Sequence, residues 1–334
     1  MTKRSVDGAA ETAWLQVACV ARGMRQKSTL PRALIPAWWT VRVLAADDVD
    51  VTAALAWAEG VIGPVSAVRE LSGGWTSTML ALTTEGDEDI VLRLMTREPW
   101  RTHGEGLTAR ESEIQEMLAN TPVPAPRTIA LDAEGQDCGF PAHLMTMLPG
   151  LIDVDRLDSD FLGELADLLV TIHNVEPTLE VRAYQSWAWE AKFQVPRWAR
   201  DSGLWLDAFA LLRAAPPEFE PCFIHRDFQP RNVLWLGGHI AGVVDWVETS
   251  IGPAWLDVAH CATNLAIVHG KEAADQFGAA YTERSGREPE PYFDVMDIVG
   301  FLPPPGKVGF FNDEGGENRR LEDRLRSVIQ STRR

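Results

Sequence analysis

Two cations, a carboxylate and an amide lie within eight positions of the stretch FIHRDFQPRNVLW, at positions 223–235, which begins and ends in apolar residues. They are His225, Arg226, Asp227 and Asn232, and a further carboxylate, Asp245, ends the apolar run IAGVVD. A buried carboxylate costs desolvation energy unless hydrogen bonds, a cation or a metal compensate for it. Amide and carboxylate oxygens of this kind suit Mg2+, which binds a few protein oxygens together with substrate phosphates.

The elements around these residues predict how they come together. The apolar runs after Asn232 and before Asp245 are joined by LGGH, a glycine-rich turn. Such runs form a β-hairpin, which would bring Asn232 and Asp245 to the same end. The pattern H-R-D-x-x-x-x-N, followed by an apolar strand and an Asp, is the catalytic-loop arrangement of the kinase fold. A helix or turn cap is the alternative interpretation of Asp227, but it does not account for Asn232 and Asp245.

On these residues, and over roughly residues 65–300, the chain resembles the aminoglycoside phosphotransferase family. That family is the small-molecule branch of the protein-kinase-like fold, which also includes macrolide and choline kinases. The resemblance implies that Asp227 accepts the proton of a substrate hydroxyl while a γ-phosphoryl group is transferred. It also implies that Asn232 and Asp245 are ligands of Mg2+.

Three further residues are expected to support the loop without taking part in the reaction. The stretch GPAWLDVAH resembles the family's segment after the metal-binding Asp, and places Asp257 where it would brace the catalytic loop. His225 is interpreted as a hydrogen-bonded core histidine. Arg226 is assigned to the same supporting group.

The segment LSGGWTSTML predicts a phosphate-binding turn. Its Gly-Gly pair permits a tight turn whose backbone N–H groups could approach phosphates. The segment lacks the G-x-G-x-x-G of protein kinases, and a Gly-Gly hairpin is often only a hairpin. The candidate phosphate contacts are Ser72, Gly73, Gly74, Thr76 and Ser77.

The run DIVLRLMT predicts a strand on which Val91 and Arg93 share one face, because side chains alternate with a period of two. Val91 would then cover the adenine, and Arg93 would meet phosphate oxygens. The kinase fold usually has Lys at this position. Arginine keeps the charge and offers a planar fork suited to phosphate.

Two more segments complete the predicted nucleotide site. Glu111 is the expected partner of Arg93, although Thr108-x-x-Glu111 is also the pattern of a capping box. The stretch MTML at 145–148 predicts the hinge, where backbone groups of Met145 and Met147 would bind the adenine edge.

The composition disfavours several classes of function. A net charge of −17 makes nucleic acid a poor partner, because phosphate binding needs a basic footprint. No run of eighteen apolar residues occurs, and the short apolar run WLQVACVA lacks a convincing cleavage site, so a cytoplasmic protein without a membrane partner is expected. The four cysteines form no C-x-x-C pair, which argues against a zinc site.

The order of patterns predicts an α+β fold: a bilobal protein-kinase-like fold with an antiparallel β-rich N-lobe and a mainly helical C-lobe. Residues 1–45 show no sustained period and are expected to be an N-terminal extension. Residues 46–148 are the predicted nucleotide-binding N-lobe. Residues 149–334 are the predicted C-lobe, with the catalytic loop and the acceptor site.

Within these lobes the patterns predict individual elements. A helix ending at Gly60 or Gly63 is followed by two or three β-rich runs, and residues 107–120 predict a second helix. Further helices are predicted at residues 160–174 and 255–283.

Together these features predict a phosphotransferase that moves the γ-phosphoryl group of ATP or GTP to a hydroxyl of a small molecule. The acceptor stays open between aminoglycosides, macrolides and other small molecules. Glu248 could recognise an amine. A tryptophan-rich segment either forms an apolar wall for a bulky acceptor or packs helices; its members are Trp187, Trp189, Trp198 and Trp205.

Two alternatives remain at this stage. A catalytically silent nucleotide-binding protein is suggested by Arg93 in place of Lys. A protein kinase is suggested by the literal H-R-D, but Asp245-Trp246-Val247 replaces D-F-G and no A-P-E occurs. The sequence leaves the choice of ATP or GTP and the oligomeric state open.

Overall fold

The computed structural model describes residues 49–71, 76–307, 309, 311, 313 and 315–332. The chain divides into two compact units. We call the first the sheet unit, whose described residues fall within 49–109 and Thr128–Met147, and the second the helical unit, within Arg110–Arg127 and 148–332. The predicted extension 1–45 lies outside the described residues, as do Ser72, Gly73 and Gly74.

The sheet unit contains one helix followed by an antiparallel sheet. The helix α1 spans Thr52–Ile62, and the strands pair in the order β1-β2-β3-β5-β4. Their bounds are β1 Val65–Glu70, β2 Thr78–Thr84, β3 Asp89–Leu94, β4 Thr128–Asp132 and β5 Ala142–Thr146. The predicted helix and the run of β-strands after it are confirmed.

The core of the sheet unit follows from the spacing of its apolar residues. Leu80 and Leu82 lie on one face of β2, because alternate side chains of a strand point the same way. They pack in one apolar cluster with Ala54 and Ala58 of α1. Helix α1 ends at the later of the two predicted glycines, Gly63, whose φ of +82° is unfavourable for residues with a Cβ.

Helix α2 spans Gly104–Leu118, so it begins and ends slightly before the predicted range 107–120. The capping-box interpretation of Thr108 and Glu111 is wrong. Thr108 lies inside the helix, where its hydroxyl donates to the Gly104 carbonyl oxygen at 2.9 Å. A capping residue would instead precede the helix and accept from its first N–H groups.

The helical unit confirms the other two helix predictions. Helix α3, Ser159–His173, begins after Asp158, whose carboxylate accepts from the Phe161 N–H at 2.8 Å. The helices that follow α3 in this unit are α4 Ser202–Arg213, α5 Ala254–His269, α6 Lys271–Ser285, α7 Pro291–Gly300 and α8 Glu317–Ser331. The predicted helical region 255–283 thus forms two helices, α5 and α6, which are separated by Gly270.

The predicted apolar face of α3 is buried in the core of the helical unit. Its members recur at helical spacing and are Phe161, Leu165, Leu168, Leu169 and Ile172. Helix α8 supports α7 through an ion pair in which Arg324 Nη2 donates to Asp294 Oδ1 at 2.7 Å. Among the described residues, no helix combines the length and apolarity that a membrane crossing requires.

Short strands of the helical unit flank the loop that carries Asp227. Strand β7, Pro221–Ile224, pairs with β10, Ser250–Pro253, while β8 pairs with both β6 and β9. The bounds of the latter three are β6 Leu151–Ile152, β8 Val233–Leu236 and β9 His239–Val243. Strands β8 and β9 form the predicted hairpin, and its turn uses Gly237 and Gly238 at φ of +62° and +90°.

Candidate active site

The loop between β7 and β8 carries Asp227 in a buried position. Strand β7 ends at Ile224, and the chain re-enters β8 through a single 3-10 turn, Pro230–Asn232. Asp227 is 3% exposed. Arg226 beside it has a φ of +72°. This left-handed conformation is unfavourable for residues that carry a Cβ, and it occurs most often at functional sites.

Three side chains donate hydrogen bonds to the Asp227 carboxylate. Oδ1 accepts from Gln229 Nε2 at 2.8 Å and pairs with His260 Nε2 at 2.9 Å. Oδ2 accepts from Asn232 Nδ2 at 3.1 Å. A carboxylate has about four acceptor positions, so the remaining one lies on Oδ2.

Asn232 and Asp245 are brought to the same end of the hairpin, as predicted. The Val244 N–H donates to the Asn232 carbonyl oxygen at 2.9 Å, and Asp245 follows Val244 directly. Asp245 has left-handed backbone angles, φ 67° and ψ 64°, and precedes the 3-10 turn Trp246–Glu248. Such left-handed angles are strained for a residue with a Cβ and are concentrated at functional sites.

The two residues fit the donor set of a magnesium site. Asn232 Nδ2 is engaged by the Asp227 carbonyl and carboxylate oxygens, which leaves the Asn232 amide oxygen as its potential ligand. An amide oxygen and a carboxylate are hard ligands of the type that Mg2+ takes from a protein when phosphates and water supply the rest. Within the described residues, no group of three or more His, Cys, Asp or Glu side chains is placed to hold a metal.

Asp257, the fourth residue of α5, accepts hydrogen bonds from the main chain of the loop. Its Oδ2 accepts from the His225 N–H at 2.7 Å, and its Oδ1 accepts from the Arg226 N–H at 2.6 Å. His173 Nε2 lies 3.3 Å from Oδ2. Burial acts to raise the pKa of Asp257, but the hydrogen bond from His173 and nearby positive charge outweigh it, so the pKa is lowered.

His225 is fully buried and uses both ring nitrogens inside the loop. Its Nε2 lies 3.0 Å from the Val244 carbonyl oxygen, and its Nδ1 accepts from the Asp227 N–H at 3.3 Å. Because a carbonyl only accepts, Nε2 carries the proton and Nδ1 is the acceptor. The ring thus links the Asp227 loop to the strand end that precedes Asp245.

The Arg226 guanidinium is also buried, stacked 3.7 Å from the centre of the Trp187 ring. Its Nη1 lies 3.9 Å from Asp297 Oδ1. Burial lowers the pKa of Arg226, while Asp297 and Asp257 act to raise it. The contacts of Arg226 are therefore with the interior of the helical unit.

Sequence reasoning missed three residues of this site, Gln229, His260 and Asp297. His260 Nδ1 lies 2.9 Å from Asp297 Oδ1, while Nε2 of the same ring reaches Asp227. A signal for His260 was present, because it follows Asp257 by three positions and so lies on the same face of a helix. Asp297 is an acid inside the apolar helix α7, PYFDVMDIVG, but nothing in the sequence pairs it with His260.

The described residues of the predicted nucleotide site lie mainly in the sheet unit. Strand β3 pairs Val91 with Met145 of β5, and both side chains are buried. Arg93 lies on the same face of β3 as Val91, and its Nη2 is 3.4 Å from Thr76 Oγ1. Ser77 is buried directly before β2.

The other two predicted nucleotide residues lie elsewhere. Met147 is half-buried just beyond the end of β5. Glu111 is buried in the part of α2 that belongs to the helical unit, whereas Arg93 belongs to the sheet unit. Their ion pair therefore stays a prediction.

The residues considered for the acceptor site have structural contacts. Trp187 and Trp205 are fully buried, which confirms packing for these two, and Trp189 and Trp198 are half-buried against the same core. Glu248 is buried, and its Oε2 accepts from Arg182 Nη2 at 2.6 Å. An amine approaching Glu248 would have to compete with this arginine.

Comparison with known proteins decides the family. A family model described as "Phosphotransferase enzyme family" matches residues 67–292, more than half of the chain. The chain belongs to this phosphotransferase family. Comparison with curated protein sequences gave no match.

Several solved structures share the fold of this phosphotransferase-family chain. A candidate aminoglycoside phosphotransferase from Ralstonia eutropha JMP134 has 16% identity and a TM-score of 0.59, over 84% of this chain and 96% of that one. Aminoglycoside phosphotransferase APH(4)-Ia, in a ternary complex with ADP and hygromycin B, has 16% identity and a TM-score of 0.58. The match covers 84% of this chain and 99% of that one. Macrolide 2'-phosphotransferase MphH from Brachybacterium faecium has 16% identity and a TM-score of 0.53, and the match covers 76% of this chain and 91% of that one. The α+β, protein-kinase-like fold is thereby confirmed.

Proposed function

We propose that this protein transfers the γ-phosphoryl group of ATP or GTP to a hydroxyl of a small molecule. The observation that carries the proposal is the Asp227 carboxylate, which is held by three protein donors and keeps one acceptor position on Oδ2. A general base needs such a position within hydrogen-bond reach of the proton that it accepts. Membership of the phosphotransferase family supports the reaction class.

In this mechanism Asp227 orients the acceptor hydroxyl through Oδ2 and accepts its proton as the new O–P bond forms. The bond between the γ-phosphorus and the β–γ bridging oxygen breaks, and the nucleoside diphosphate leaves with that oxygen. Asn232 and Asp245 would hold Mg2+, which would supply positive charge to neutralise the phosphates. The donor set at the end of the hairpin supports this assignment. Burial of the loop keeps water away from Asp227, which strengthens its hydrogen bonds.

The sheet unit supplies the nucleotide contacts in this proposal. Val91 covers the adenine, and backbone groups at Met145 and Met147 bind its edge. Arg93 binds phosphate oxygens, supported by its position on the same strand face as Val91. Further phosphate contacts are Ser72, Gly73, Gly74, Thr76 and Ser77.

The class of acceptor is proposed from the related structures. A neighbour with the same fold was crystallised with the aminoglycoside hygromycin B, and another is a macrolide phosphotransferase. Aminoglycosides and macrolides are therefore the first candidates. The ion pair of Glu248 with Arg182 does not favour an amine-binding role for Glu248.

The proposal is tested by measuring nucleotide consumption with Mg2+ and a panel of acceptors. The panel should contain aminoglycosides, macrolides and small metabolic alcohols, each with ATP and with GTP. We expect Mg2+-dependent turnover with one chemical class, and a phosphorylated product of that acceptor. A protein that binds the nucleotide but gives no turnover with any acceptor would instead be a silent nucleotide-binding protein.

A further inference from the structure

The histidine next to Asp227 is held on both sides by carboxylates. His260 Nε2 is 2.9 Å from Asp227 Oδ1, and its Nδ1 is 2.9 Å from Asp297 Oδ1. Both carboxylates and the ring are almost fully buried. Ionised carboxylates only accept hydrogen bonds, so each ring nitrogen donates and the ring is an imidazolium.

The protein also fixes the plane of the His260 ring. The Trp187 ring meets it edge-on at 5.2 Å between centroids, and the Phe301 ring stacks on it at 5.7 Å. Asn264 Nδ2, one turn further along α5, donates to the His260 carbonyl oxygen at 2.9 Å and lies 3.2 Å from the ring Nε2. The ring therefore has little freedom to move away from Asp227.

Charges around His260 favour its protonated form. Burial acts to lower the pKa of His260, but Asp297 and the hydrogen bond to Asp227 raise it to about 9. Two basic groups face Asp297 from other elements: the Arg226 guanidinium, and Lys192, whose pKa burial lowers to about 7. Lys192 Nζ donates to the Gly300 carbonyl oxygen at the end of α7. Asp257, one turn earlier on α5, is engaged by the loop main chain.

We infer that His260, held by Asp297, is a positioning residue that fixes the Asp227 carboxylate so that Oδ2 is the oxygen presented to the acceptor hydroxyl. This inference rests on the proposed phosphotransfer. With His260 and Gln229 both on Oδ1, rotation of the carboxylate would break two hydrogen bonds. The loop main chain is already held by Asp257, so the contact of His260 with the loop acts on the reacting side chain.

The test compares His260→Gln and Asp297→Asn with His269→Gln, a control on the same helix. His269 lies at the end of α5, where its Nε2 is 2.8 Å from the Val154 carbonyl oxygen and away from the loop. With an acceptor found by the panel, we expect kcat to fall about 10- to 100-fold in both test variants. The KM values for nucleotide and acceptor should stay near those of the wild type, and His269→Gln should keep the wild-type kcat.

The pH profile separates positioning from a general loss of structure. In the wild type, kcat should fall as the pH rises through about 9, where His260 loses its proton. Asp297→Asn should move this fall to lower pH, because the charge that raises the pKa of His260 is gone. Asp297→Asn keeps the shape of the side chain, and it carries the test if His260→Gln does not fold.

The outcomes distinguish this inference from the proposed function. A wild-type protein without turnover on any acceptor overturns the proposed phosphotransfer, and the role of His260 with it. Wild-type turnover that keeps its kcat and pH profile in His260→Gln or Asp297→Asn overturns only the role of His260. A raised KM at unchanged kcat would also overturn it, because positioning of the base acts on the chemical step.

Discussion

The loop that carries Asp227 is held on two sides, and the two sides differ in what they hold. On one side, Asp257 accepts from the main-chain N–H groups of His225 and Arg226, and His173 lies beside it. On the other side, His260 hydrogen-bonds to the Asp227 side chain, while Asp297 holds His260 and lies 3.9 Å from the Arg226 guanidinium. Both sides are buried ionic clusters in the helical unit.

This difference separates the shape of the loop from the chemistry of its carboxylate. Loss of Asp257 would leave two buried N–H groups without an acceptor, which is a cost to folding. Loss of a donor to Asp227 would leave the loop in place but free the carboxylate to rotate, which is a cost to the reaction. Variants on the Asp257 side should therefore change chiefly stability, and variants on the His260 side should change the rate in addition to the stability that the charged His260 pair contributes.

The largest expected effect is on folding. Asp257→Ala should lower the free energy of unfolding by about 3–5 kcal/mol, because it breaks a buried charged network and leaves its partners unpaired. Urea unfolding followed by tryptophan fluorescence measures this change. The matched control is Asp323→Ala, which removes a largely exposed partner of Arg200 and should cost about 1 kcal/mol or less. Equal losses in the two variants would contradict the role of Asp257.

The pH dependence of stability tests the His260 side. The pKa of His260 in the folded protein, about 9, lies above its ordinary value of 6.5. The charged pair therefore contributes stability that is fully present below about pH 6.5 and is lost as the pH rises through about 9. Over this window the wild type should lose on the order of 3 kcal/mol more than His260→Gln does. Parallel stability curves for the two proteins would show that His260 carries no extra proton.

A smaller loss of kcat is expected at Gln229, which contacts the same Asp227 oxygen as His260. It is the second donor to Asp227 Oδ1, and its own Oε1 has no hydrogen-bond partner within the part of the chain that the structure describes. Gln229→Leu keeps the approximate volume and removes one donor while His260 remains. We expect kcat to fall about tenfold, equivalent to about 1.4 kcal/mol, with little change in the urea midpoint. A larger loss of kcat than in His260→Gln would reverse the order of the two donors.

The smallest effect is expected at Tyr281, which is linked to Asp257 through His173. The Tyr281 hydroxyl and His173 Nδ1 are 2.7 Å apart, and His173 in turn contacts Asp257. Tyr281→Phe should lower the free energy of unfolding by about 1 kcal/mol, the net value of one hydrogen bond. Its kcat should match that of the wild type. A clear loss of kcat in this variant would mean that the two sides of the loop are not separate.

The local part of this arrangement was predictable from the sequence. Asp227, Asn232 and Asp245 belong to one loop and one hairpin, so short-range spacing decides where they meet. Asp257 was placed through the resemblance of its segment to a known family. The helices and strands that the sequence patterns predicted follow from the same local rules, apart from their ends and the break at Gly270, whereas no pattern singled out α4, α7 or α8.

The His260 side was not predictable, because it depends on tertiary packing. Asp297 comes from α7, far along the chain, and only the packing of α7 against α5 brings it to His260. Local pattern also misled at Thr108, which matched a capping box although the helix begins earlier, at Gly104. The predicted phosphate-binding turn is described only in part, because Ser72, Gly73 and Gly74 lie outside the described residues.

The most direct test of the proposed function is phosphoryl transfer by Asp227→Asn beside the wild type. Both proteins would be given ATP, Mg2+ and the acceptor found by the panel, with the product followed by 31P NMR and nucleotide affinity measured by calorimetry. We predict that the wild type phosphorylates the acceptor and that Asp227→Asn loses turnover by about 10²- to 10⁴-fold while its nucleotide affinity is largely spared. Unchanged turnover in Asp227→Asn would contradict the mechanism.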